Sequence, residues 1–122
     1  MHRKELLETA INLTTTSRNE EYGEPNVNLG NVARLWTAYL QGKYGERNNL
    51  SIQLTAEDVA WFNSLQKIAR TFSGTSKPDT YIDAAAYAAI AGECAHLENF
   101  NPPVGSTTPF LPGQLFGKGL PK

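Results

Sequence analysis

Asp79-Thr-Tyr-Ile-Asp83-Ala-Ala-Ala-Tyr87-Ala-Ala-Ile90-Ala-Gly92-Glu-Cys94-Ala-His96 follows directly on Pro78 and contains no further proline. Alanine has the highest intrinsic helix propensity, so the stretch predicts a helix, with Asp79 as its N-cap and an end at about Leu97 or Glu98. Ala84, Ala85, Ala86, Ala88, Ala89, Ala91 and Ala95 make its surface small and weakly polar around most of the circumference. Such a helix is expected inside a bundle rather than on its surface. Two copies of the chain would cover it more completely than one, and a homo-oligomer is expected on that ground.

The chain before it supplies three more helices. Thr55-Ala-Glu-Asp58 has the hydroxyl-then-acid spacing of a capping box and opens a helix on which Trp61, Leu65, Ile68 and Phe72 fall at i, i+4, i+7 and i+11. That helix stops at Ser73-Gly74, which predicts an antiparallel pairing with the alanine-rich helix across the short connection from Gly74 to Pro78. A second runs from about Asn26 or Val27 to Lys43, with Leu29, Val32, Trp36 and Tyr39 or Leu40 on one stripe, and Gly45 closes it. A first runs from about His2 to Ser17, with Leu7, Ile11 and Thr14 on a narrow apolar face beside Leu6, Ala10 and Leu13. Gly23 and Pro25 break the pattern between them. The expected core includes Leu7, Ile11, Val32, Trp36, Leu65, Ile68, Phe72, Ala85 and Ile90.

Pro102, Pro103, Pro109, Pro112 and Pro121, with Gly105, Gly113, Gly117 and Gly119, exclude regular structure after Asn99. The organisation is therefore a helical domain over residues 1–98 and an extended Pro/Gly-rich tail over residues 99–122. Phe100, Phe110, Leu111, Leu115, Phe116 and Leu120 make that tail too apolar for a typical disordered segment. It is expected to lie on its own domain or on a neighbour.

A chain of 122 residues suits one domain, and eleven Lys plus Arg against twelve Asp plus Glu give a net charge of −1. There is no global basic field, so duplex nucleic acid is not an expected partner. Cys94 is the one cysteine and His2 and His96 are the two histidines, which excludes a disulfide framework and a cysteine- or histidine-rich metal site. No signal peptide and no apolar run long enough for a membrane span is present, so a cytoplasmic protein with no membrane partner is expected.

Three clusters carry possible chemistry. Arg18, Tyr22, Gly23 and Asn28 surround the first break, where a forked cationic donor and a phenol ring suit an anionic or aromatic ligand. Their plain alternative is turn chemistry with a solvated arginine. Asn63, Lys67 and Arg70 form a row roughly opposite Trp61 and Leu65, which either faces solvent or lines a groove for phosphate. Asp79, Asp83 and Tyr87 lie four apart on one side of the alanine-rich helix. Asp83 needs a partner there, and Lys67 or Arg70 from the neighbouring helix is the obvious one for a structural ion pair.

In order along the chain, Arg18, Tyr22-Gly23, Asn28, Trp36, Asp58-Val59, Lys67-Ile-Ala-Arg70 and Asp79-Thr-Tyr-Ile-Asp83-Ala-Ala-Ala-Tyr87 resemble a family of small phage and prophage proteins of unassigned function. The resemblance runs from about residue 5 to about residue 95, leaving the tail outside. The same skeleton is similar to domains associated with nucleotide modification and, more distantly, to the all-α MazG-like nucleoside triphosphate pyrophosphohydrolases. It implies a four-helix, MazG-like bundle, a small-molecule nucleotide as partner, and host cytoplasm as the location of a phage-encoded protein. The implied ligand-binding residues are Arg18, Tyr22, Gly23, Asn28, Trp36, Lys67, Arg70, Asp79, Asp83 and Tyr87.

The resemblance leaves catalysis open, and no catalytic residue is assigned. MazG-like enzymes hold magnesium with Glu-x-x-Glu on one helix and Glu-x-x-Asp on the next, because hard cations need several converging carboxylates. This chain has no Glu-x-x-Asp, and Glu5-x-x-Glu8 and Glu21-x-x-Glu24 only imitate the first half. With Arg18, Lys67 and Arg70 set against Asp79 and Asp83, the cluster can neutralise phosphate directly, so neither a metal site nor a cofactor is expected. The first expectation is thus a phage-type nucleotide binder that sequesters a signalling nucleotide of host defence without turning it over. The second is a divergent magnesium-dependent nucleoside triphosphate pyrophosphohydrolase. The third is a helical adaptor that binds another protein.

Overall fold

The computed structural model describes residues 1–15, 24–75 and 77–100, with side chains through Leu97. Among the described residues there are four α-helices and no strand: α1 (Arg3–Thr15), α2 (Pro25–Leu40), α3 (Ala56–Arg70) and α4 (Pro78–Phe100). A π-helical turn, Gln41–Gly45, continues α2 without a break. Arg18, Tyr22, Gly23 and the tail beyond Phe100 lie outside the described residues.

Local chemistry sets the helix ends. Thr55 accepts the Asp58 backbone N–H at 3.3 Å while the Asp58 carboxylate accepts the Thr55 N–H at 2.9 Å, so the capping box forms in both directions. Pro25 occupies the first turn of α2, where its missing N–H costs nothing. α4 opens one residue earlier than its sequence suggests, at Pro78, which places Asp79 in the first turn rather than at the N-cap. There its carboxylate still meets the positive end of the helix dipole. Gly74 has φ +78°, a left-handed conformation that opens the turn between α3 and α4 without a Cβ penalty.

The connection from α2 to α3 is organised by one side chain. The Gln41 amide oxygen accepts the Ile52 N–H at 2.7 Å, and its NH2 donates to the Leu50 carbonyl at 3.0 Å and to the Glu46 carboxylate at 3.3 Å. Gly45 makes room for this: a Cβ there would meet the Gln41 side chain at 2.5 to 2.8 Å. Thr37 accepts the Leu54 N–H at 3.0 Å and so fixes the end of the connection against α2.

α4 is the central element. Ile90, Ala91 and Cys94 pack with Leu29 and Ala33 of α2 and with Ala56, Val59 and Ala60 of α3. Nearer its N-terminus, Ile82 and Ala86 pack with Ala10 of α1. α3 and α4 run antiparallel, and the Ser64 hydroxyl donates across the seam to the Ala84 carbonyl at 3.0 Å.

The side of α3 that enters this core is the small one. Val59 and Ala60 are 1% and 0% exposed, whereas Leu65 is 55% and Phe72 82% exposed. Of the expected core, Ile90 is buried and Val32 and Ala85 are half-buried, but Leu7, Ile11, Trp36, Leu65, Ile68 and Phe72 are exposed. The reason is geometric. α3 is apolar on two opposite sides, and its Ala/Ser side allows the closer approach to the alanine-rich α4. The described chain has no further helix to lay on the other side.

Candidate functional site

Helix periodicity puts Asp79, Asp83 and Tyr87 one turn apart along a single side of α4. That side lies between the face α4 gives to α1, marked by Ile82 and Ala86, and the face it gives to α3, marked by Ala84. α3 reaches over it. The Lys67 ammonium lies 3.1 Å from the Asp83 carboxylate, with the two side chains only 17% and 28% exposed. The predicted need of Asp83 for a cationic partner is met by Lys67, on the antiparallel neighbour.

This pair is a different object from a surface ion pair. The Lys4–Glu8 contact of α1, at 4.0 Å with both side chains mostly in water, is worth little. Lys67 and Asp83 are largely withdrawn from solvent, which strengthens their attraction and raises the cost of losing either partner. An ammonium has three donors, so the bond to Asp83 leaves Lys67 able to bind a second acceptor.

The remaining site residues are spread around this pair. The antiparallel register that matches Lys67 with Asp83 sets Arg70 level with the first turn of α4, where Asp79 lies, and both are exposed. Tyr87 is half-buried against the core formed by α2, α3 and α4. Asn28 is exposed on the first half of α2. Trp36 stacks on Phe62, with ring centroids 6.0 Å apart and planes 18° from parallel. Phe62 is about 140° around α3 from Lys67, at 100° per residue, so the structure brings Lys67 and Asp83 together but sets Trp36 on another side of the helix. Among the described residues no three His, Cys, Asp or Glu side chains are grouped so as to hold a metal ion.

Two features escaped the sequence reading. Ser64 is buried and bonded to the α4 backbone next to Asp83, a position that only the antiparallel register reveals. An open depression of about 320 Å³ lies at the α1–α4 end of the molecule, lined by Met1, Leu6, Lys77, Pro78 and Tyr81. Nothing in the spacing of those residues marks them as neighbours. No helix among the described residues is long and apolar enough to cross a membrane.

A small all-helical domain carrying a shielded lysine–aspartate pair on its central seam is thus the class defined by fold and site. The chain belongs to the family described as Domain of unknown function (DUF6378), which matches residues 5–95 and so includes α2, α3, most of α1 and α4, and the ion pair. It is 34% identical over 85 residues to the Gene 55 protein of Mycobacterium phage L5, a match covering 70% of this chain and 49% of the phage protein. The chain therefore spans about half the length of this curated relative. No solved structure matches the chain.

Proposed function

We propose that this protein binds a nucleotide of phage–host signalling and holds it intact, with Lys67 and Arg70 receiving the phosphates. The observation that carries this reading is the Lys67–Asp83 pair: an ammonium fixed at 3.1 Å by one carboxylate, shielded from water, with donors to spare. Asp83 acts in it as a positioning residue that holds the lysine, and Arg70, level with the first turn of α4, supplies a forked donor from the open end of the seam. We assign base stacking to Tyr22 rather than to Trp36, whose ring is turned onto Phe62. Lys67 and Arg70, set against Asp83 and Asp79, supply cationic donors that can meet phosphate directly. Membership of a family with a phage relative favours the phage setting and, with it, the cytoplasm of the host.

Incubating the purified chain with nucleoside triphosphates and with cyclic and ADP-ribose-type nucleotides, with magnesium or with chelator, tests the reading. Retention of an intact nucleotide, released on heat denaturation and insensitive to chelator, is the expected result. Arg70→Ala should weaken that binding by about 1.5 to 3 kcal/mol, the range for a hydrogen bond to a charged group. Metal-dependent hydrolysis would replace the binder with a divergent pyrophosphohydrolase on a MazG-like bundle. Neither turnover nor retention would favour the helical adaptor.

A further inference from the structure

The described chain leaves one large apolar surface without a partner. Trp61, Leu65 and Ile68 follow one another along the side of α3 that points away from α4, Phe72 lies in the turn just beyond its end, and all four are exposed. Phe62, stacked on Trp36, carries the surface across to α2, where Leu35 and Tyr39 extend it along the same flank. At about 200 Å² for a fully open large side chain, the exposed fractions of these residues leave on the order of 800 Å² open to water. The largest apolar patch of a typical monomer is about 300–600 Å², and a stable interface takes about 800 Å² from each partner.

The chemistry of the patch suits a second copy of the same chain. Between Trp61 and Phe72 the outward side of α3 carries no charged residue, with Ala69 filling the gap between Leu65 and Phe72. A face laid on its own copy about a twofold axis therefore meets no like charge. Its polar edges are partly satisfied from within: the Trp61 indole N–H donates to the Glu57 carboxylate at 3.1 Å, and the Tyr39 hydroxyl accepts from Lys43 at 3.0 Å. Covering the Trp61 ring therefore leaves its N–H paired. A nucleic acid would need a field of cations, whereas the outward side of α3 has none and Lys43 stands at the α2 edge, bonded to Tyr39.

We infer that the outer side of α3, with the adjoining flank of α2, is the interface of a homodimer. The expected oligomer is thereby placed on the aromatic side of α3 and not on the alanine-rich helix that first suggested it, because α4 already packs on α1, α2 and α3 and the side it leaves open, with Ala89, Gly92, Glu93 and His96, is small or polar. Lys67 lies on the opposite side of α3, so dimerisation leaves the proposed phosphate site open and stands or falls independently of it.

Sedimentation equilibrium of the full chain at micromolar concentration, with tryptophan emission followed on dilution, tests the inference. Both tryptophans of the chain, Trp36 and Trp61, lie in the patch, so their emission reports it directly. A dimer whose emission shifts to the red as it dissociates is expected. Leu65→Glu should weaken association by about a hundredfold or more, since each copy would bury a carboxylate against apolar surface. Its circular dichroism should stay unchanged, because Leu65 lies outside the buried core and is more than half exposed. A dimer unaffected by Leu65→Glu would overturn the inference. So would a monomer, whether its tryptophans are open to iodide quenching or shielded by the chain's own residues 101–122. If Leu65→Glu fails to fold, Ile68→Ser read by the same two measurements decides in its place.

Discussion

The two sides of α3 differ in a way that runs against intuition. The inner side, with Ala56, Val59, Ala60 and Ser64, is made of small residues and is buried almost completely. The outer side, with Trp61, Leu65 and Ile68 and with Phe72 in the turn beyond, holds the larger apolar groups and is exposed. Transfer free energy alone would reverse them, since a large side chain gains more by leaving water. What decides is the partner. A helix as rich in alanine as α4 has almost no side chains long enough to reach across a gap, so it packs well only against a helix that can come equally close. The inner side of α3 is shaped for α4, and the outer side is left for a surface that brings large side chains of its own.

The strongest test of the comparison removes volume from the inner core. Ile82→Ala, at a position 2% exposed between α1 and α4, should cost about 2 to 5 kcal/mol in urea unfolding. Adding volume to the seam should cost nearly as much: Ala60→Leu puts a large group where none fits, and a loss of about 1 to 3 kcal/mol is expected by the same measurement. If Ala60→Leu is neutral, the small-residue packing of the seam is wrong. Lys67→Ala should cost about 1 to 3 kcal/mol by leaving Asp83 half-buried without its partner. Adding Asp83→Ala to that variant should restore part of the loss, and a double-mutant cycle with no coupling would show that the pair does not hold the seam.

Smaller effects sharpen the picture. Thr55→Ala removes the capping hydroxyl of α3 and should cost about 1 kcal/mol, read as a drop in the thermal midpoint. On the outer side, Phe72→Ala should change stability by no more than about 0.5 kcal/mol when measured at a dilution where the chain is monomeric. A loss as large as that of Ile82→Ala would mean that Phe72 is packed within a single chain.

The all-helical character, the capping box, the turn at Gly74 and the antiparallel pairing of α3 with α4 could all be read from the sequence. Each is set by residues close together in the chain: Thr55 and Asp58 by their spacing, Gly74 by its freedom at positive φ, the alanine run by its helix propensity. The partnership of Lys67 with Asp83 was legible as well, since a carboxylate inside an apolar helix calls for a cation and the neighbouring antiparallel helix offered Lys67 and Arg70. Choosing between those two cations required the register, which is a tertiary quantity. Which side of α3 turns inward was not legible, because a periodic pattern marks apolar stripes without saying what covers them. α3 has two such stripes, one small and one large, and the eye follows the large one. Only the packed helices show that α4 can accept the small stripe alone, so that Trp61, Leu65, Ile68 and Phe72 are left facing out. Local sequence thus determined where the helices form, while the close approach that alanine permits decided how they face.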